Sequence, residues 1–304
     1  MKTRSLAVAA ATTALGLALA GCASQPAPEA SSDATLSVVA STNVYGDIAS
    51  SIGQDLIEVT SIIDDPGKDP HEYEADAQNQ LALSKADIVI ENGGGYDDFM
   101  QTLLASADNA DVVVLNVADI SGYDQEPTEG AFNEHMWYDF PTVTKLVDEI
   151  VSTLSEVDPD NTSTFESNGD AFKGELSGFM EQEAELKAGH EGTGVAITEP
   201  VPLYMLGAIG LENKTPGEFS ESIEEDTDVP ADVLQETLDL FSSKSVTLLA
   251  YNEQTTGPQT EAVLAAAEEN AIAVVPVRET LPEGKTYLQW MQGDLDAISA
   301  ALGG

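Results

Sequence analysis

Cysteine occurs once in these 304 residues, histidine three times, and lysine plus arginine 11 times against 54 aspartates and glutamates. The single cysteine rules out disulfide frameworks and thiolate metal clusters. A formal charge of −43 excludes nucleic acid and anionic membrane surfaces as partners, because phosphate binding needs a Lys/Arg surface. Cations are the natural counter-ions, although selection for solubility at high salt accounts equally well for the bulk of the charge. Aromatics make up 6% of the chain. A pocket for an organic solute or metal chelate wants aromatic walls or Arg/Lys donors, and both are scarce here. Against these shortages stand 42% hydrophobic residues, enough to bury the core of one large domain or two of ordinary size.

The N-terminus supplies an address. "MKTR" carries two positive charges, the run from Ser5 to Ala20 is apolar and Ala-rich, and "LAGC" at 19–22 closes it with small residues before the cysteine. This is the layout of a signal peptide over residues 1–21, too short for a comfortable membrane span. It closely resembles a bacterial lipobox, which implies cleavage before Cys22, lipidation of Cys22, and no thiol left for chemistry. "ASQPAPEASSDA" lacks apolar periodicity and reads as a flexible tether over 22–34. The body of the chain then lies outside the cytoplasmic membrane, anchored by lipid to its outer face.

From Thr35 onward, short apolar runs alternate with helical patterns. "LSVVAS", "LIEVTSII", "DIVIEN" and "DVVVLNV" read as buried strands, and "TGVAIT", "SVTLLAY" and "IAVVPV" repeat the grammar later. Strands alternating with helices predict parallel sheets with helical crossovers. Between the two sets, apolar residues recur at helical spacing from Thr142 to Leu154 and from about Ser163 to Ala188, interrupted by "DPDN". Pro159 cannot continue a helix interior, so a helix, a turn and one long helix are expected. The fold class is α/β: two lobes, each a mostly parallel sheet flanked by helices, joined by a long rigid linker helix. The expected boundaries are 35–160 for the first lobe, 161–189 for the linker and 190–304 for the second.

Two histidines stand beside acids, in "DPHEYE" (His71) and "NEHMWYD" (His135). Both fall at or just beyond carboxyl ends of strands, where open parallel sheets bind ligands. The turn at Asp69 and Pro70 presents one ring, and Trp137 and Tyr138 are positioned to pack around the other. His190 ends a helix and reads as a solvated cap. In the second lobe, "TEP" offers Glu199 after one strand and "VRETLPEG" offers Glu279 after another. Either glutamate could instead serve as a helix cap or as a partner for Arg278. Together, His71, His135, Glu199 and Glu279 share one topological edge and form a nitrogen and carboxylate set suited to Zn²⁺ or Mn²⁺.

"DPHEYE", "NEHMWYD", "TEP" with "GL" at 210–211, and "ETLPEG" with "YLQWM" resemble the zinc/manganese substrate-binding lipoproteins of bacterial metal ABC importers. These are the ZnuA/TroA-like proteins of the cluster A-I solute-binding family. The resemblance runs from the lipobox to the C-terminus. It implies a divalent cation held between two lobes by residues at the places of His71, His135, Glu199 and Glu279. It further implies delivery to an ABC permease driven by a cytoplasmic ATPase, by a monomer that is not an enzyme. Asn133 and Glu134 replace the Asp-Pro that usually precedes the second histidine, and the acidic stretch at 124–134 contains no histidine. A carboxylate in place of a third histidine tilts the site toward Mn²⁺, whereas Zn²⁺ has the higher intrinsic affinity for nitrogen/oxygen sites.

A metal-dependent extracellular hydrolase is the main alternative, with Glu72 or Glu134 as its base. It needs an open coordination position, and no H-E-x-x-H helix is present. "ENGGGYDDF" at 91–99 only superficially resembles a phosphate loop. It lacks the Lys-Ser/Thr ending and carries two aspartates, so a turn beneath the binding cleft is expected.

Overall fold

A computed structural model describes residues 35–67, 73, 76–128 and 130–303. The expected signal peptide, the expected tether with Cys22, and His71 lie outside the described residues. Residues 35–304 form one compact unit.

The first half runs β1 (Leu36–Thr42), α1 (Asn43–Gly53), β2 (Ile57–Ile63), α2 (Ala77–Leu83), β3 (Ile88–Glu91), α3 (Phe99–Ala107), β4 (Val113–Asn116) and α4 (Val117–Ser121). Its four strands are all parallel in the order β2-β1-β3-β4. Two long helices follow, α5 (Phe140–Val157) and α6 (Thr162–His190). The second half runs β5 (Gly194–Ile197), α7 (Leu203–Ala208), β6 (Glu212–Asn213), α8 (Gly217–Glu224), α9 (Ala231–Ser242), β7 (Leu248–Asn252), α10 (Pro258–Glu269), β8 (Ala273–Val277) and α11 (Tyr287–Leu302). Its sheet repeats the plan in the order β6-β5-β7-β8, again parallel. The expected α/β class, with a long helix between two parallel sheets, is the fold observed.

Local sequence explains the boundaries that matter for the site. α5 begins where Asp139 accepts hydrogen bonds from Thr142 N at 3.1 Å and Thr142 Oγ1 at 2.5 Å, with Pro141 in the first turn, where a missing N–H costs nothing. α11 starts with a reciprocal cap between Thr286 and Gln289. α4, β6, α8 and α9 were not expected from sequence. β6 is two residues long, and α8 and α9 lie in an acidic stretch whose short amphipathic patterns are easily read as loop.

At 1.5 Å per residue, the 29 residues of α6 span about 43 Å. Its buried residues, Phe165, Gly169, Phe172, Leu176, Phe179 and Glu183, form one stripe. That stripe packs against α1 and α5 of the first half and α7 and α11 of the second. Phe179 meets Phe140 at a ring separation of 5.2 Å, and Phe172 stacks on Tyr287 at 6.0 Å. One continuous buried cluster therefore runs from Val38 through Trp137, Tyr138 and Leu176 to Ile298. The halves share a core instead of meeting at a wet domain boundary.

Hydrogen bonds reinforce this seam. Tyr287 donates its hydroxyl to Trp137 O at 2.7 Å and its N–H to Asp47 Oδ2 at 2.7 Å, while Tyr138 donates to Asp294 Oδ2 at 2.8 Å. Burial pushes the Asp294 carboxyl up to about 7. Burial, aided by the nearby Asp139 charge, pushes Glu183 up to about 8. Both acids keep their protons in the folded chain over a pH range in which an unfolded carboxyl has lost them.

Phe172→Ala should cost about 3–5 kcal/mol in urea unfolding, with both halves melting in one transition. Two separated transitions would contradict a shared core. The raised acids set a pH dependence of opposite sign to that of an ordinary salt-bridged carboxylate. Their contribution is complete below about pH 4 and declines as pH rises toward 7 and 8. Glu183→Gln should flatten that decline, raising the melting temperature relative to the parent at about pH 8 and leaving it unchanged at about pH 4.

Candidate metal centre

The carboxyl end of β3 builds the floor. After Glu91 the chain turns through Gly93 and Gly94, both at positive φ (71° and 65°), where glycine alone carries no penalty. A Cβ on Gly94 would also collide with Phe132. The Asp97 carboxylate accepts the N–H groups of Asn92 at 2.7 Å and Gly93 at 2.8 Å. This glycine turn thus spends amides on its own aspartate, in keeping with a turn and not with a phosphate cradle. Asn92, held by the Tyr45 hydroxyl, donates through Nδ2 to Glu134 O at 3.0 Å and fixes the loop carrying His135.

His135 is fully buried. Its Nδ1 lies 2.7 Å from Asn133 Oδ1. The Asn133 amide is itself oriented, because its Nδ2 donates to Pro200 O at 3.2 Å, leaving Oδ1 toward the ring. The proton of the neutral imidazole therefore resides on Nδ1, and Nε2 presents a lone pair. Trp137 stands edge-on to the ring at 5.2 Å and Tyr96 at 6.0 Å. Tyr138, expected beside His135, instead turns toward Trp290 and Asp294, because the short helical turn at 136–138 sends successive side chains to different sides.

Carboxylates surround the Nε2 side. Glu279 Oε2 is 4.0 Å away and Glu224 Oε1 is 3.3 Å away. Glu134, His135 and Glu224 each offer a donor atom, and those atoms all lie within 4.8 Å of one another. Glu279 is buried just beyond β8, and Asn252, the last residue of β7, donates to its Oε1 at 2.8 Å, which turns Oε2 toward His135. Its backbone N–H donates to Gln254 Oε1 at 2.6 Å. Arg278 does not pair with Glu279. Its guanidinium holds Glu253 Oε2 at 2.9 and 2.6 Å. Glu199 is buried in the turn after β5, beside Pro200, whose carbonyl takes the Asn133 amide. His190 is the half-buried last residue of α6.

The structure brings together two of the four residues chosen from sequence, His135 and Glu279, and buries Glu199 at a neighbouring strand end. The fourth, His71, lies outside the described residues. Glu224 was missed. It sits in "SESIEED", where nothing separates it from other surface acids except its position at the end of an unanticipated helix. Glu134 was noted only as a departure and a possible base. A neutral nitrogen facing several carboxylate oxygens is a donor set for a borderline or hard divalent cation, not for an anion or an organic carboxylate.

Among known families, the one described as "ZnuA: Zinc-uptake complex component A periplasmic" matches residues 38–301. The chain is 27% identical over 308 residues to the manganese ABC transporter substrate-binding lipoprotein scaA of Streptococcus gordonii, covering 93% of this chain and 94% of that protein. It is 27% identical over 239 residues to the manganese-binding lipoprotein MntA of Halalkalibacterium halodurans, covering 74% and 79%. In fold it is similar to FpvC from Pseudomonas aeruginosa in complex with Mn²⁺. There the TM-score is 0.73 at 20% identity, over 88% of this chain and 99% of that one.

Asn133→Ala should free the His135 ring to rotate and change tautomer. Divalent-cation affinity should fall by roughly 10- to 100-fold, the usual cost of losing a hydrogen-bond partner behind a ligand. Calorimetric titration against the parent chain checks this, and an unchanged affinity would remove Asn133 from the site.

Proposed function

We propose, starting from the fact that the chain belongs to the zinc-uptake complex component A family, that it is the extracytoplasmic substrate-binding protein of an ABC importer. Its substrate is a divalent cation, Zn²⁺ or Mn²⁺, captured between the two lobes and delivered to a membrane permease that a cytoplasmic ATPase drives. The first lobe is residues 35–160, the linker 161–189 and the second lobe 190–304. His71 and His135 supply imidazole nitrogens from the first lobe, and Glu199 and Glu279 supply oxygens from the second.

The observation that carries this reading is the setting of His135. A fully buried imidazole with its proton pinned on Nδ1 turns Nε2 across the lobe boundary toward Glu279 at 4.0 Å. That contact joins residues 144 positions apart in sequence, on elements from different sheets. Donors from both lobes place the ion at the boundary between them, which suits a carrier. A hydrolase needs a coordination position kept for water, and four side chains already complete the shell that Zn²⁺ takes in closed protein sites, so we assign no enzymatic activity. Cleavage after residue 21 and lipidation of Cys22 would tether the monomeric protein to the outer face of the cytoplasmic membrane.

Titration of the metal-free chain with Zn²⁺ or Mn²⁺ should give one site. Replacing His71, His135 or Glu279 by alanine should weaken it beyond the roughly 10- to 100-fold cost of losing an outer hydrogen bond, and should remove the metal-dependent rise in melting temperature. His190→Ala should change neither. Parent-like binding by His135→Ala would refute the proposed centre.

A further inference from the structure

Glu224 lies in the second half but belongs neither to a strand end nor to the four-residue set proposed above. It is the last residue of α8, an eight-residue helix anchored by buried Phe219, Ser220 and Ile223. The chain is tied off immediately afterward. Glu225 N donates to Glu221 O at 3.0 Å, Asp226 N to Ile223 O at 3.1 Å and Thr227 N to Ser222 O at 2.8 Å. Asp226 adopts the left-handed conformation, with φ at 48°. A helix end stopped this firmly holds the position from which Glu224 reaches inward, and its Oε1 lies 3.3 Å from His135 Nε2, nearer than Glu279 Oε2 at 4.0 Å.

This placement has an electrostatic cost. The last turn of a helix is the negative end of its dipole and disfavours a carboxylate. Glu221 and Glu225 flank the same turn, and Glu134 lies in the same group of donor atoms as Glu224. Solvent screening is reduced there, because only 12% of the Glu224 side chain is exposed. A dication bound beside His135 offsets all of these repulsions at once.

We propose that Glu224 is an additional oxygen ligand for the cargo ion and biases the centre toward Mn²⁺ over Zn²⁺. The inference rests on the four-residue centre proposed above. With Glu224 included, the donors become two imidazoles and three carboxylates. That number exceeds the four that Zn²⁺ takes in closed protein sites. Mn²⁺ favours oxygen donors and a fuller shell. Loss of Glu224 therefore weakens Mn²⁺ binding more than Zn²⁺ binding. Glu134, adjacent to His135, contributes negative potential from the first half without being required as a ligand.

The test is parallel titration of the purified full-length chain with Mn²⁺ alone and Zn²⁺ alone, in the parent, Glu224→Gln, Glu224→Asp and His135→Ala. Glu224→Gln should lose Mn²⁺ affinity beyond the roughly 10- to 100-fold cost of losing an outer hydrogen bond, with a smaller loss for Zn²⁺. Glu224→Asp keeps the charge but shortens the reach from a fixed helix end, so it should lose Mn²⁺ affinity as well. An unchanged Mn²⁺ to Zn²⁺ ratio in Glu224→Gln overturns the inference. Parent-like Mn²⁺ binding by Glu224→Asp also overturns it, since charge without ligation would then suffice. Loss of both metals in His135→Ala keeps the centre standing in either case, whereas parent-like binding there removes the centre and Glu224's role together.

Discussion

The hydrogen bond between His135 Nδ1 and Asn133 Oδ1, 2.7 Å long, is the constraint on which the rest of the site depends. An imidazole left to itself chooses between two tautomers and many ring angles, and as a cation it offers no lone pair at all. Here the Asn133 amide is turned by the Pro200 carbonyl, and the Asn133 carbonyl accepts from Tyr204 at 2.7 Å. The partner that fixes the first-half nitrogen is therefore itself held by the second half. Orientation of the donor and apposition of the lobes are one arrangement.

The same coupling recurs at Glu279. Arg278 and Thr280, its sequence neighbours, each donate to Pro66 O at 3.2 Å, and Leu281 exchanges two hydrogen bonds with Asn43. The segment carrying Glu279 is stapled to the first half on both sides of that residue, and beneath it lies an apolar core common to both halves. A hinge opening widely about α6 would have to break these staples and expose Phe172, Phe179 and Tyr287 together. Movement that stays local to a loop or to the end of a short helix disturbs far less packed surface. Such a body keeps the donor geometry set by the fold and leaves entry and exit of cargo to small displacements.

Much of this was legible in the sequence. Seven of the eight strands announce themselves as short apolar runs, the exception being the two polar residues of β6, and the pattern beginning at Tyr287 predicts α11 over its observed residues. The linker was legible because Phe165, Phe172, Leu176 and Phe179 repeat at helical spacing and Pro159 interrupts the preceding helix. Glu279 could be chosen because a glutamate directly after a buried strand must lie at the sheet's carboxyl edge. Glu224 could not. Its neighbours are Glu218, Glu221 and Glu225, and sequence alone does not say which member of an acidic helix points inward. The role of Asn133 was hidden for a related reason, since an asparagine two residues from a histidine acquires meaning only when the backbone folds it back onto the ring. Nor did the sequence reveal that Arg278 turns to Glu253 and leaves Glu279 to Asn252, a choice made by the pairing of β7 with β8.

Stability and cargo are linked by the cost of burying acids. Glu199 and Glu279 are 3% and 1% exposed, and a buried carboxylate gives up hydration that must be replaced by hydrogen bonds, a proton or a cation. Asn252 supplies one hydrogen bond to Glu279, but a hydrogen bond leaves the charge in place. The seam uses the second solution below about pH 7, where burial keeps Glu183 and Asp294 protonated beside the Tyr138 and Tyr287 contacts that cross between the halves. The cluster around His135 suits the third, because a dication there would offset several neighbouring carboxylates simultaneously. The two groups of buried acids thus have different consequences. Protonated below about pH 7, the seam acids hold the lobes together without cargo, whereas a cation bound among the acids around His135 would make part of the folding energy conditional on cargo.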